Sequence, residues 1–264
     1  MLELRNLHKT FAKGTVNAHV ALDGVNLKLE KGEYVTMIGS NGAGKTTLFN
    51  AICGTFQCDA GRIILDGEDI TFTPEYTRAH RIGRVFQDPM KGTAPGMTIE
   101  ENMALAYTRA HGAPFSLALN RRKHDLFRDA LARYGMGLED RMKTKVGLLS
   151  GGQRQVVTLL MCTLVTPKLL LLDEHTAALD PATAEKIMAI TNQIVGENGI
   201  TTMMITHNIR NALTTGSRTI MMDDGQIILD LSGEEREKMT VERLMRMYSE
   251  RKKEELDNDR MLFS

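Results

Sequence analysis

Gly39-Ser40-Asn41-Gly42-Ala43-Gly44-Lys45-Thr46 is a glycine-spaced run that ends in a cation and a hydroxyl. Glycine accepts backbone angles closed to other residues, so successive N–H groups can turn into one concavity and meet phosphate oxygens. Lys45 would add charge at β- and γ-phosphates, and the Thr46 hydroxyl is a ligand type for Mg2+. Asp173-Glu174 follows the apolar run Leu169–Leu172. Adjacent carboxylates at the end of a buried strand are unfavourable unless they meet a cation. Asp173 fits the holder of Mg2+ through water, and Glu174, one residue further out, fits the group that polarises an attacking water. Leu149-Ser150-Gly151-Gly152-Gln153 is a second glycine-rich turn entering a helix, again built to meet an anion. Two such turns for one nucleotide suggest that one holds the phosphates while the other caps them from a second copy of the chain.

These groups need strands and helices behind them. Tyr34–Ile38 is a short apolar strand feeding the first glycine loop, and a helix is expected from about Lys45 to just before Gly54. Leu2–Leu7 and Ala21–Leu29 alternate as strands. Arg62–Leu65 with Asp66-Gly67 reads as one side of a hairpin, and Ile82–Phe86 as a further strand. The character changes at Asp88, where prolines and glycines crowd together. From Thr98 to about Arg141 the pattern is helical: Thr98 with Glu101 forms a capping box, Gly112-Ala113-Pro114 breaks the run, and a second helix is expected over Asn120–Tyr134. Gln153–Val165 reads as a buried helix. Leu169–Leu172 lacks polar alternation, as a central parallel strand does. Asp180-Pro181 supplies an N-cap and a proline for the next helix. Thr201–Ile205 is a strand, Ile220–Met222 and Gln226–Leu229 form a hairpin, and a helix from Thr240 runs into the charged stretch Glu250–Arg260.

The 264 residues suffice for one large α/β domain or two small ones. Formal net charge is zero, which weakens any case for broad binding to nucleic acid. No uninterrupted apolar run is long enough for a bilayer, and Met1-Leu2-Glu3-Leu4-Arg5 lacks the order of a signal peptide, so the expected place is the cytosol. Cys53, Cys58 and Cys162 have no metal-type spacing and read as reduced structural thiols.

With these motifs in this order, the sequence resembles the ABC ATPase family over almost its whole length. The resemblance implies an α/β P-loop NTPase core with a mainly parallel sheet, an N-terminal antiparallel β subdomain and an inserted α-helical subdomain. The implied layout is one ATPase domain over residues 1–250, with the insertion at about 88–150 and a charged tail over 251–264. It implies ATP and Mg2+ as ligands, with the phosphate loop running from Gly39 to Thr47. Ser150, Gly151, Gly152 and Gln153 match the signature that closes over the γ-phosphate of the opposite subunit. Gln87, in Val85-Phe86-Gln87-Asp88, matches the glutamine that contacts Mg2+ and water and leads into the insertion. Asp180 matches the loop residue that lies across the dimer. His207 matches the switch histidine at the γ-phosphate. Phe11 sits where the family places an aromatic ring against adenine. Read singly, Gln87, His207 and Phe11 are also ordinary loop or core residues; their order beside the stronger motifs is what selects them.

His175 departs from the family, in which proline commonly follows the Asp-Glu pair, and it reads as a local structural substitute. The string Asp173–Asp180 is similar to that of bacterial subunits that accompany a separate permease and an extracytoplasmic solute-binding protein. That similarity implies import of a small solute, an amino acid being the leading guess, at the inner face of the cell membrane. An exporter subunit, a soluble ABC protein acting on DNA or ribosomes and a regulatory nucleotide binder remain alternatives. The first is left open by this chain; the second lacks its usual second cassette or coiled coil; the third is disfavoured by intact Lys45, Asp173, Glu174 and His207. A membrane partner is expected to dock in a groove formed by the segment after Gln87 and the helical insertion, with Met90, Pro95, Met97 and Met103 along it.

Overall fold

The computed structural model describes residues 1–111 and 120–250. Two sheets carry the strands. The first is antiparallel, in the order β2–β1–β4–β5, from β1 (Leu2–Phe11), β2 (His19–Leu29), β4 (Ala60–Leu65) and β5 (Glu68–Asp69). The second runs β10–β9–β3–β8–β7–β6, from β3 (Tyr34–Gly39), β6 (Ile82–Val85), β7 (Leu169–Asp173), β8 (Thr201–Ile205), β9 (Arg218–Asp223) and β10 (Gln226–Ser232). Its pairs are parallel except β9–β10, which forms a hairpin. This matches the expected α/β architecture of a mainly parallel sheet with an N-terminal antiparallel one.

β7 shows why the sequence reads as it does. It is flanked by β6 and β8, and every residue in it is buried. Leu169 and Leu171 pack with the first helix and the antiparallel sheet, whereas Leu170 and Leu172 pack with the helices on the other face. With side chains alternating between two covered faces, neither face tolerates a polar residue. Each fully buried leucine contributes roughly 1.5–3 kcal/mol, so this strand is a rigid mount for the carboxylates at its end.

The helix α1 (Lys45–Cys53) starts directly from the glycine loop and ends at Gly54, which takes a left-handed conformation and donates to the carbonyls of Asn50 and Ala51. A one-turn helix α2 (Glu75–Arg78), not anticipated from sequence, carries Arg78 back to that same helix end. Between β6 and β7 lie α3 (Ile99–His111), α4 (Arg121–Ala132) and α5 (Gly151–Thr163), with α3 and α4 both packing on α5. The Thr98 box forms as expected: Glu101 N donates to Thr98 Oγ1 at 3.2 Å, and Thr98 N to Glu101 Oε2 at 2.7 Å. The expected break at Gly112-Ala113-Pro114 falls outside the described residues, as does the charged tail beyond Glu250.

Three expectations need correction. The helical pattern does not persist to Arg141: α4 ends at Ala132, and Gly135 and Gly137 turn the chain at positive φ. α5 begins at Gly151 rather than Gln153, because Ser150 is its N-cap and Gln153 completes the capping box. Met103 does not face a groove; it is fully buried with Phe127, Leu131 and Val156, while Met90 is exposed and Met97 half-buried. Between β7 and β8 lies α6 (Pro181–Asn198); beyond β8 come α7 (Ile209–Thr214) and α8 (Gly233–Glu237), and residues 241–250 are helical.

Candidate functional site

The glycine loop joins β3 to α1 and closes on itself through Lys45. Its ammonium donates to the carbonyls of Gly39 at 2.8 Å and Ser40 at 2.7 Å, and the residue is buried. That burial pushes the Lys45 pKa down, while the carboxylates of Glu174, Asp173 and Asp223 act in the opposite direction. A side chain at Gly39 would run into the carbonyl of Met222, and one at Gly44, at φ 95°, into the carbonyl of Ala21. Both positions therefore require glycine, and the loop is clamped between β9 and β2. Ser40 Oγ donates to Asp223 Oδ1 at 2.8 Å, and the Tyr248 hydroxyl donates to the same oxygen at 3.2 Å.

Two of the clefts beside the loop meet at Thr46. One, of about 240 Å³, is lined by Phe11, His19, Ala21, Asn41 through Thr47, and Glu174. Phe11 and His19 are cross-strand partners at the turn end of the β1–β2 hairpin, and Phe11 meets Phe56 edge-on at 5.3 Å. The other, of about 500 Å³, is lined by Thr46, Asn50, Arg84, Phe86, Gln87 and Asp173, among others. Thr46 belongs to both, so a chain of phosphates along the loop would pass from the aromatic side to the carboxylate side. Thr46 Oγ1 lies 3.5 Å from Asp173 Oδ1. A hydroxyl and a carboxylate are hard oxygen donors, and Mg2+ is commonly held by one or two carboxylates together with substrate phosphates, so the pair fits that ion.

Glu174 stands at φ 49°, a conformation uncommon for a residue with a side chain, and its N–H donates to the Ile205 carbonyl at 3.1 Å. The turn lifts its carboxylate out of the strand line and toward β8, where Oε1 lies 2.7 Å from His207 Nε2. His207 is exposed, whereas the Glu174 side chain is only 12% exposed. Next to it, His175 is buried against Thr191 at 3.0 Å, and burial pushes its pKa down to about 4. Thr191 Oγ1 already donates to the Ile187 carbonyl, so His175 Nε2 must be the donor to it. This histidine is a neutral structural group, as the sequence suggested.

Ser150 and Gln153 are placed elsewhere. Neither cleft is lined by them. Ser150 Oγ accepts from Gln153 N at 3.3 Å, and Gln153 Oε1 accepts from Ser150 N and Arg141. Gly151 and Gly152 lie against Leu179 and Thr183, so this turn sits beside the N-cap Asp180, which accepts from Thr183 N at 3.0 Å. The chain thus carries two separate faces: the glycine loop with Gln87, Asp173, Glu174 and His207, and a patch of Ser150 to Gln153 with Asp180. Sequence reasoning missed His19, Asn50, Arg84 and Asp223. Of these only Arg84 left a signal, as a charge inside an otherwise apolar strand.

A parallel sheet with a glycine loop running into a helix and carboxylates on a neighbouring strand end defines a P-loop nucleoside triphosphatase cassette. The ABC transporter family profile matches residues 22–177. The tyrosine transport ATP-binding protein of Clostridioides difficile is 41% identical over 94% of this chain and 98% of that protein. The thiamine import ATP-binding protein ThiQ of Salmonella paratyphi A is 36% identical over 76% of this chain and 80% of its own length. Among solved structures, a dimeric ATP-binding cassette in a post-hydrolysis state with ADP and Pi superposes with TM-score 0.76 at 30% identity, covering 88% of this chain and 98% of that one. This chain belongs to the ABC transporter family, and it binds and hydrolyses ATP. Among the described residues no helix is long and apolar enough to cross a membrane.

Proposed function

We propose that this chain powers import of a small solute, an amino acid, as the ATPase partner of a separate permease and an extracytoplasmic solute-binding protein. In this reading it works at the inner face of the cell membrane. Its similarity to a tyrosine transport subunit across nearly the whole of both chains supports the amino-acid class. The observation that carries the mechanism is the Glu174 carboxylate, raised by its backbone turn to 2.7 Å from His207 and facing the glycine loop.

Two copies bind two ATP between the loop of one and Ser150 to Gln153 of the other, with Asp180 of each across the interface. Backbone amides of the loop from Gly39 to Thr47 and the N-terminus of α1 receive the phosphates, and Phe11 receives the adenine. Lys45 leaves the carbonyls of Gly39 and Ser40 for the β- and γ-phosphates. Thr46, Asp173 and Gln87 would hold Mg2+, which would neutralise charge on the phosphates. Glu174 accepts a proton from the attacking water, and His207, in contact with both Glu174 and the γ-phosphate, stabilises the transferring group. Closure follows from contacts that exist only with ATP between the copies, and loss of the γ-phosphate removes them. Gln87 leads out of the catalytic cleft toward α3 and passes the change to the permease.

Uptake of labelled solutes by cells lacking this chain tests the assignment. Loss of amino-acid uptake, restored by the wild-type chain, is expected. Unchanged amino-acid uptake with loss of thiamine or polyamine uptake, or with retention of a solute normally expelled, overturns it.

A further inference from the structure

Arg84 is a charge inside β6, the strand that pairs with β7, where Arg84 stands beside Leu171 in register. Its guanidinium is held on three sides. Nη2 donates to Asp173 Oδ2 at 2.9 Å, Nη1 donates to Asn50 Oδ1 at 2.6 Å, and Cζ lies 4.7 Å from the centre of the Phe86 ring. The side chains of Arg84 and Asp173 are only 11% and 9% exposed, so water screens this pair weakly. Asp173 thus has its oxygens divided: Oδ2 belongs to Arg84, and Oδ1 faces Thr46 at 3.5 Å. The neighbouring carboxylate, Glu174, is engaged by His207.

We propose that Arg84 is a positioning residue for the divalent-cation site, which fixes Asp173 with one oxygen toward Thr46 and holds the site's affinity for free Mg2+ low until nucleotide phosphates arrive. The inference rests on the reading that Thr46 and Asp173 take Mg2+. Its physical basis is charge. Arg84 with Asp173 is a neutral pair, and Lys45 close by offsets the carboxylate of Glu174, so a bare dication meets little net attraction. Mg2+ also dehydrates reluctantly and needs strong anionic ligands to hold it. Phosphates supply that charge, and the oxygen already aimed at Thr46 then completes the site without reorganisation. A guanidinium suits this role because its planar fork reaches Asp173 and Asn50 at once. The consequence is ordered loading: the metal enters with the nucleotide and does not occupy the empty cassette.

The test needs no turnover. Water-proton relaxation with Mn2+ on the unmodified chain should show weak binding alone and binding more than tenfold tighter with a non-hydrolysable ATP analogue. Tight, Asp173-dependent Mn2+ binding by the nucleotide-free wild type overturns the proposal without any arginine variant. In thermal melts without nucleotide, Arg84→Gln should melt lower in chelator and recover as MgCl2 is added. Its apparent affinity for Mg2+ alone should be roughly tenfold tighter than wild type, the scale of one screened like charge. Arg84→Lys keeps the charge and should return the metal response toward wild type. An Arg84→Gln melt that ignores Mg2+, or an Arg84→Lys melt identical to it, counts against the proposal. Asp173→Asn separates the two readings. If it leaves Mn2+ binding with the ATP analogue intact, the metal site itself is misassigned. If it abolishes that binding while Arg84→Gln binds Mn2+ no tighter than wild type, only the role of Arg84 falls.

Discussion

His207 Nε2 lies 2.7 Å from Glu174 Oε1, and the two side chains come from the ends of neighbouring strands, β8 and β7. The contact depends on the positive φ of Glu174, since an extended residue there would continue the strand and place its carboxylate elsewhere. Glu174→Gln keeps the size and a hydrogen bond but cannot accept a proton. Phosphate release should fall by a factor of about 10² to 10⁴. ATP should bind at least as well, because a carboxylate near the γ-phosphate has been removed, and a closed dimer should accumulate on size exclusion with ATP and Mg2+. Turnover within a few-fold of wild type would remove Glu174 from the chemistry.

Lys45→Ala is expected to differ in kind. Lys45 closes the loop through the carbonyls of Gly39 and Ser40 and supplies the cation that phosphates would meet. Its loss should lower both nucleotide affinity and turnover. Equilibrium binding of a fluorescent ATP analogue distinguishes the variants: retained affinity in Lys45→Ala alongside lost hydrolysis would assign Lys45 to the transition state alone.

Without nucleotide the chain should sediment as a monomer at micromolar concentration. Asn41, Gly42, Thr46, Ser150, Asp180 and His207 are all exposed, and these polar groups offer little apolar area to hold an empty dimer. A stable dimer of the nucleotide-free chain would mean that another surface, such as the segment beyond Glu250, makes the contact.

Much of this was legible because motif and element coincide. The strand Leu169–Asp173 announces itself by four successive leucines, and the loop from Gly39 by glycines whose reason is steric. The start of α5 was misplaced by two residues because a Ser-Gly-Gly turn reads as loop until the Ser150–Gln153 box is recognised as a cap. Met103 was misread because methionine suits both a groove and a core, and only packing separates them. Arg84, Asn50 and Asp223 come from segments far apart in the chain, and their convergence on the loop is set by strand order, which no local pattern encodes.

Arg78 offers a stability test away from the chemistry. It is buried, and its guanidinium donates to the carbonyls of Ala51 and Ile52, both at 2.9 Å, and to those of Thr71 and Thr73. It therefore supplements the Gly54 cap at the last turn of α1, adding a second donor to Ala51 and reaching the Ile52 carbonyl. Arg78→Ala should destabilise the protein by at least about 2 kcal/mol, with Arg78→Lys recovering only part, since an ammonium cannot fork to both ends of that span. Urea midpoints measure this. A change below about 0.5 kcal/mol, the scale of an ordinary surface substitution, would mean that water replaces the guanidinium there.

His175 should make stability depend on pH in a defined direction. Burial lowers its pKa from an ordinary 6.5 to about 4 in the folded protein. Between those values the unfolded chain takes up a proton that the native state refuses, so stability rises with pH across this window and is lost as pH falls from about 6.5 toward 4. The shift corresponds to about 3 kcal/mol when the whole window is crossed. His175→Gln retains a donor for Thr191 Oγ1 but carries no titratable proton. Urea unfolding at a series of pH values should give wild type the steeper loss below pH 6.5, with the two proteins closest at neutral pH. Parallel profiles for both would show that His175 titrates alike folded and unfolded, and that its contact with Thr191 does not keep it neutral.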